Sequence, residues 1–358
     1  MPDRRAFLLG SAALAAAARA GTVDYPAVAP RPLVFPRDHG AHPDYRTEWW
    51  YLTGWLDAPG GAALGFQVTF FRTRTEIDPA NPSAFAARQL IIAHAALADP
   101  ARGTLLHDER IARAGMGAAG AAVDDTDVRL ASWRFARRPD GSYHCTLPAR
   151  GFALELSARP TQALLAQGDA GYSRKGPAAA QASYYYSQPQ LEVRATLARD
   201  GRTETLAGKG WLDHEWSSTL LPANAAGWDW IGMNLDDGSA LTAFQIRGQG
   251  AGRAPLYAYA SLRAPGGPAR TFRPDDVRFM PLAEWTSPRT RAGWPVAQRV
   301  SVGGRVFSTS PLMKDQELDS RMTTGAVYWE GASELLEDGR RVGRGYLEMT
   351  GYVAPIRL

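Results

Sequence analysis

The sequence has a single cysteine, Cys145, so no internal disulfide can staple the fold and stability has to come from burial. Charge of one sign is also missing. The formal net charge is +4, and the first twenty residues carry +2 of it, Arg4, Arg5 and Arg19 against Asp3. A remainder so small and so dispersed argues against a nucleic-acid partner. No run is apolar for long enough to cross a bilayer as a helix, so no stable membrane span is expected. The six histidines (His39, His42, His94, His107, His144, His214) show no HxH or HExxH spacing, and no metal or other cofactor is expected. There is no GxSxG elbow, phosphate-binding loop or dinucleotide fingerprint. Helical periodicity is weak throughout, with at most one turn at Gln162–Gln167.

At the N-terminus, Arg4-Arg5 precedes Phe7-Leu8-Leu9, an Ala-rich apolar run and the small-x-small triplet Ala18-Arg19-Ala20. This looks like a twin-arginine export signal cut after Ala20, which predicts a periplasmic or secreted protein. Residues 21–46 are Pro-rich (Pro26, Pro30, Pro32, Pro36, Pro43) and read as an extended leader.

From Glu48 onward the pattern is period two, punctuated by turns such as Pro59-Gly60-Gly61, Pro139-Asp140-Gly141, Asp200-Gly201, Asp237-Gly238 and Asp338-Gly339. Many short strands at this spacing predict an all-β sandwich or barrel. An aromatic inner face suits an antiparallel barrel whose lumen holds a small apolar ligand. The 358 residues suffice for two domains. An internal echo supports that number. With Trp49 laid on Trp228, Tyr51 falls on Trp230, Leu56 on Leu235 and Asp57 on Asp236. After a one-residue slip Phe66 falls on Phe244 and Val68 on Ile246. A repeat of this length means two related domains.

The chemistry concentrates between Lys209 and Arg247, where Trp211, Trp216, Trp228 and Trp230 alternate with Asp213, His214, Glu215 and Asp229. Indoles among acid/base groups suggest an aromatic-walled ligand site. On a strand, Asp213 and Glu215 share one face and His214 and Trp216 the other. His214 is either a general acid/base or a structural histidine at a domain junction. Alternation likewise sets Trp49 with Tyr51 and Glu48 with Trp50. Glu48 then has two readings: a proton donor whose pKa is raised by burial beside indoles, or a buried lock paired with an arginine such as Arg72. Trp228-Asp229-Trp230 poses the same choice. His94, in the apolar strand around Ile91 and Ile92, is either a ligand contact or a satisfied core histidine.

The motifs EWWYLTGWL…GFQVTFFR, AHAAL (Ala93–Leu97), WLDHEW, GWDWIGMNLDDG and YWEGASELLEDGRRVGRGYLEMTGY together resemble the AttH-like / carotenoid 1,2-hydratase (CrtC-like) family. The resemblance implies two tandem lipocalin-like antiparallel β-barrels, here over residues 47–218 and 219–358. It further implies an exported protein that binds a lipophilic small molecule, in some members alongside ABC transporter components. The alternative it carries is a hydratase or secreted hydrolase of an apolar, isoprenoid or lipid-like substrate. Hydration would proceed through a carbocation stabilised by aromatic faces. His214 and Trp216 fall where the hydratases have functional residues. The aspartate expected on a nearby strand has no counterpart in Leu241–Ile246, so Glu48, Asp213 or Asp229 would take its place. The candidates are therefore His214, Asp213 and Glu48 for catalysis. For the ligand they are Trp49, Trp50, Tyr51, Trp216, Trp228, Trp230 and His94.

Overall fold

The computed structural model describes residues 23–250 and 254–357; the export signal expected at residues 1–20 lies outside them. Among these residues there is no α-helix, only three 3-10 turns and twenty-three strands. The first sheet comprises β1 (Thr47–Asp57), β2 (Ala63–Arg74), β3 (Gln89–Ala98), β4 (Leu106–Arg113), β5 (Ala119–Ala121), β6 (Asp127–Leu130), β7 (Trp133–Arg137), β8 (Tyr143–Ala149), β9 (Phe152–Arg159), β10 (Leu165–Ala166), β11 (Tyr172–Arg174), β12 (Ala182–Arg199) and β13 (Arg202–Ser217). The second comprises β14 (Ala225–Leu235), β15 (Ala240–Gly248), β16 (Pro255–Arg263), β17 (Ala269–Phe272), β18 (Val277–Thr286), β19 (Gly293–Val302), β20 (Arg305–Pro311), β21 (Glu317–Ser320), β22 (Ala326–Glu337) and β23 (Arg340–Thr350). Residues Gln162–Gln167 make no helical turn; they hold the short strand β10, paired with Tyr186 and Ser187 of β12.

Both sheets follow one plan. The first runs β4-β3-β2-β1-β13-β12-β9-β8-β7-β6-β5, the second β17-β16-β15-β14-β23-β22-β20-β19-β18, all antiparallel where paired. In each, the opening strand pairs with both the second and the last. Each sheet curls into a barrel: β5 and β6 come back against β3, and β18 comes back against β15 and β16. Closure of this kind hides the edges that an open sheet would expose.

The echo in the sequence is thus a repeat in the fold, but its second arm is registered differently from the reading above. Trp49 pairs with Phe71 and Trp228 with Ile246, so Phe71, not Val68, holds the position of Ile246. Trp49 reaches the turn-closing pair Asp57–Ala63 after eight residues, whereas Trp228 reaches Asn234–Ala240 after six. The shorter hairpin shifts the return strand, and identity matching across the turn cannot see this.

Both lumens are filled. The first is packed by Trp50, Leu52, Phe66, Phe70, Trp133 and Phe135 among others, the second by Ile231, Met233, Phe279, Trp294 and Trp329. A third apolar cluster, with Tyr51, Trp55, Trp211, Trp230, Phe244 and Tyr346, lies between the barrels. Strand β1 therefore serves two cores: its even-numbered side chains enter the first barrel and its odd-numbered ones face the second. Gly65 marks the closest approach: a Cβ there would sit 2.6 Å from Ala332 Cβ and 2.8 Å from the Tyr346 hydroxyl.

Candidate functional site between the barrels

The cavity that alternation builds lies at the junction, not in a lumen as expected. Each lumen is occupied by its own side chains, while the outward faces of β1 and β14 stand apart and enclose about 320 Å³. One wall carries Trp49, Tyr51, Phe71, Tyr185, Asp213 and Glu215; the other carries Trp228, Trp230, Phe244, Ile246, Tyr328, Glu330 and Glu348. Lys175, in the loop between β11 and β12, completes the lining from within.

The polar groups of this apolar box are buried carboxyls. Asp213 accepts hydrogen bonds from Tyr185 Oη (2.7 Å), Ser187 Oγ (2.5 Å) and Trp211 Nε1 (2.7 Å). Burial nevertheless pushes its pKa up to about 7, with the nearby Glu215 charge adding to the effect and those three donors opposing it. Glu330 and Glu348 face each other across β22 and β23. Burial pushes Glu348 up to about 8, against a 2.9 Å hydrogen bond from Trp228 Nε1, with Asp213 and Glu215 adding their fields. Glu330 is raised well above the usual carboxylate range by burial and then by Glu348. The Tyr51 hydroxyl pulls the other way, yet neither it nor Glu330 Oε2 makes a hydrogen bond of ordinary geometry. Lys175 Nζ lies 3.0 Å from Glu215 Oε1, and 4.2 Å and 4.5 Å from the Phe244 and Tyr185 ring centroids. Burial lowers its pKa although Glu215 and Asp213 oppose this. Trp230 Nε1 donates to Tyr185 Oη at 3.1 Å, joining the walls. At neutral pH the cavity therefore holds carboxylic acids that still carry protons, against aromatic faces.

On the opposite face of the same strands, inside the mouth of the first barrel, sits a second polar cluster. The Pro-rich leader lies across that mouth: Ala29 O accepts from Tyr184 Oη at 2.7 Å, and Asp38, His39 and His42 are buried. Glu48 is bonded by Arg72 Nε (2.7 Å), His42 Nδ1 (2.7 Å), His214 Nε2 (2.9 Å) and the His42 backbone N–H. Burial alone would raise the Glu48 pKa, but Arg72 and the two histidines hold it well below the usual range. Of its two readings the lock is the one present, and Glu48 has no proton to give. Burial lowers the His214 pKa despite Glu48, so its ring is neutral, with Nε2–H donated to Glu48. His42 presents Nε2 to Asp38 at 3.1 Å as well as Nδ1 to Glu48, and its ring stacks on Trp216 at 3.6 Å.

Donor atoms of His42, Glu48 and His214 lie within 4.8 Å of one another, the donor types of a metal site that chain spacing did not suggest. Arg72 on the other Glu48 oxygen and the hydrogen bond on each donor close the cluster onto itself.

The structure thus divides most of the predicted residues between two places, with His94 and Asp229 apart from both. Trp49, Tyr51, Asp213, Trp228 and Trp230 line the cavity; Glu48, Trp50, His214 and Trp216 belong to the barrel-mouth cluster. Asp229 sits inside the second barrel, paired with Arg247 (3.1 Å) and accepting from Tyr352 Oη (2.9 Å). His94 is buried beside the cavity, its Nδ1 accepting from Tyr328 Oη and its Nε2 bonded to Thr323 Oγ1 at 2.9 Å. Burial holds it neutral, at a pKa of about 3. Sequence reasoning missed Glu330, Glu348 and Lys175. The signal for the glutamates was one carboxylate next to aromatic and apolar residues in each of two short runs, Tyr328-Trp329-Glu330 and Tyr346-Leu347-Glu348-Met349.

The sequence profile of the AttH-like family matches residues 26–352. No curated protein sequence matches the chain. Among solved structures, an AttH-like protein from Nitrosomonas europaea is 53% identical and superposes with a TM-score of 0.85, over 91% of this chain and 99% of that one. Kievitone hydratase from Nectria haematococca is 13% identical, with a TM-score of 0.68 over 93% and 97% of the two chains. CghA with Sch210972 is 14% identical, with a TM-score of 0.55 over 86% and 89%. At those two identities the likeness is one of fold. The tandem lipocalin-like barrels, the match from residue 26 to 352 and the 53% identity place this chain in the AttH-like family.

Proposed function

We infer that the junction cavity takes a lipophilic small molecule and adds water to it, in the manner of a hydratase acting on an isolated double bond. The observation that carries this reading is a buried glutamate pair beside aromatic faces, Glu348 raised to about 8 and Glu330 raised with it, next to an aspartate, Asp213, whose pKa of about 7 leaves it partly ionised at neutral pH. A general acid works best with a pKa near the operating pH. Glu348, with Glu330 opposite it, is suited to give a proton to one alkene carbon. The π pair then becomes the new C–H bond and leaves a cation on the neighbouring carbon. Trp49, Trp228 and Trp230 offer ring faces to that cation, each worth roughly 0.5–2 kcal/mol. Water attacks the cation through oxygen and releases a proton to Asp213. Its three donors, on Tyr185, Ser187 and Trp211, orient it as an acceptor. A proton passing from Asp213 back to the glutamate pair restores the start, and the net change is addition of one water.

The same cavity supports a second reading, a carrier that holds its ligand unchanged, and the enclosing aromatic walls favour it equally. Export by the twin-arginine route would place either activity in the periplasm or outside the cell, and a carrier there would exchange its ligand with transporter components. One incubation separates the two. The mature chain is mixed with a lipid extract of its host in ¹⁸O-labelled water, and the solution and the protein-retained fraction are analysed by mass spectrometry. A product heavier by one labelled water supports the hydratase. A retained, unlabelled molecule overturns it in favour of the carrier.

A further inference from the structure

The lining of the junction cavity has more acids than cationic partners. Asp213 and Glu215 from β13, Glu330 from β22 and Glu348 from β23 bring four carboxyls into it. Among the described residues one interior cation stands against them, Lys175, already paired with Glu215 at 3.0 Å. Tyr51, Tyr185 and Tyr328 add only neutral phenols, and Arg46 and Arg357 belong to the more exposed part of the lining. Glu330 Oε2 is buried without a hydrogen bond. Buried charges are ordinarily matched, and a deficit of this kind inside an aromatic box is the complement of a positively charged guest. The cavity also shows that it can hold such a group: the Lys175 ammonium lies 4.2 Å from the Phe244 ring centroid and 4.5 Å from that of Tyr185.

Building on the reading of this cavity as a ligand site, we propose that it selects organic cations: a hydrocarbon body carrying one positive charge, such as a lipophilic amine or quaternary ammonium. The hydrocarbon packs on Trp49, Phe71, Trp228 and Trp230, and the charge sits by Glu330 and Glu348. A resident cation stabilises the ionised acids, so binding expels protons at neutral pH and tightens as pH rises through the raised carboxyl pKa values. The same field would stabilise a carbocation formed during hydration.

The test uses the full mature chain and three probes that share one tail: octyltrimethylammonium, 1-octanol and octanoate. Affinities are read by calorimetry and tryptophan quenching at pH 6 and pH 9. Because the ammonium charge is permanent, any pH dependence of its binding belongs to the protein. At pH 9 the ammonium is expected to bind about tenfold tighter than octanol, and octanoate weakest. Ammonium affinity should rise about tenfold from pH 6 to pH 9 while octanol stays level. In the double variant E330Q/E348Q the ammonium advantage should shrink to within about threefold, with octanol binding retained as evidence of an intact cavity. Octanol or octanoate binding as tightly as the ammonium overturns the proposal and leaves the ligand site standing. Binding of none of the three overturns both.

Discussion

Asp213 and Glu348 occupy the same position in the two barrels: Asp213 faces Tyr51 across β13 and β1, and Glu348 faces Trp230, the counterpart of Tyr51, across β23 and β14. The next strand over distinguishes them. Asp213 has Ser187 opposite it in β12, a donor at 2.5 Å, whereas Glu348 has Glu330 opposite it in β22, a second acid. Asp213 therefore has three donors, and Glu348 one donor, Trp228 Nε1, beside the facing acid. In the proposed hydration, these duplicated positions would supply an acceptor and a donor of protons from one design. In the labelled-water assay, Glu348→Gln should slow product formation by about 10²–10⁴-fold, the usual worth of a general acid, while the melting temperature holds or rises. An unchanged rate would remove Glu348 from the chemistry.

Stability should depend on pH through the same groups. Asp213, Glu330 and Glu348 all have folded pKa values above their unfolded ones, so their contribution is fully present below about pH 4 and is lost as pH rises through about 7 to 8. The melting temperature should therefore fall between pH 5.5 and pH 9. The expected loss is of the order of 1–3 kcal/mol, at about 2–4 °C per kcal/mol for a domain of 150–250 residues. In E330Q/E348Q the curve should flatten. A wild-type melting temperature that rises over this range would contradict the burial of unpaired carboxyls.

The barrel-mouth cluster responds to the opposite change. The Glu48 pKa is depressed, so its stabilisation is present above the unfolded value near 4.5 and is lost as pH falls below that value. Glu48→Gln leaves Arg72 buried at 2% exposure without its carboxylate, and breaking such a pair by removing one partner costs about 3–5 kcal/mol. Urea denaturation should show this loss, whereas octyl-probe binding to the still-folded fraction should be unchanged. Weakened binding with intact stability would mean that Glu48 reaches the ligand.

Gly65→Val tests the junction itself. The added Cβ meets Ala332 and the Tyr346 hydroxyl at distances no real Cβ tolerates, so the barrels must move apart. Overpacking of this kind costs typically 1–3 kcal/mol. Probe affinity should fall with it, because both walls of the cavity shift. Retained affinity would show that the cavity does not depend on how closely the barrels approach there.

Much of this arrangement is legible in alternation. Period two sets Trp49 and Tyr51 on one face of β1 and Glu48 and Trp50 on the other, and does the same for Asp213 and His214 on β13, as the structure shows. What alternation cannot tell is which face meets a ligand, because both faces of β1 are covered and both read as apolar. The lumen was the expected place, and the outward face is where space remains. Glu330 and Glu348 each follow apolar neighbours in separate strands, and only the β22–β23 register reveals them as facing each other. His42 was beyond reach for a different reason. It lies in a Pro-rich leader without periodicity, and its partner Glu48 is set by where that leader crosses the barrel.

Half of the cavity wall comes from each repeat, and this has a consequence for how the site could be taken apart. Neither barrel excised alone would retain a pocket, since the face that lines it would become open surface. The segment between Ser217 and Ala225 is the place to cut, because no strand spans it. Fragments expressed from two genes would recover ligand binding only by reassociating, which makes activity in such a split protein a direct reporter of complementation.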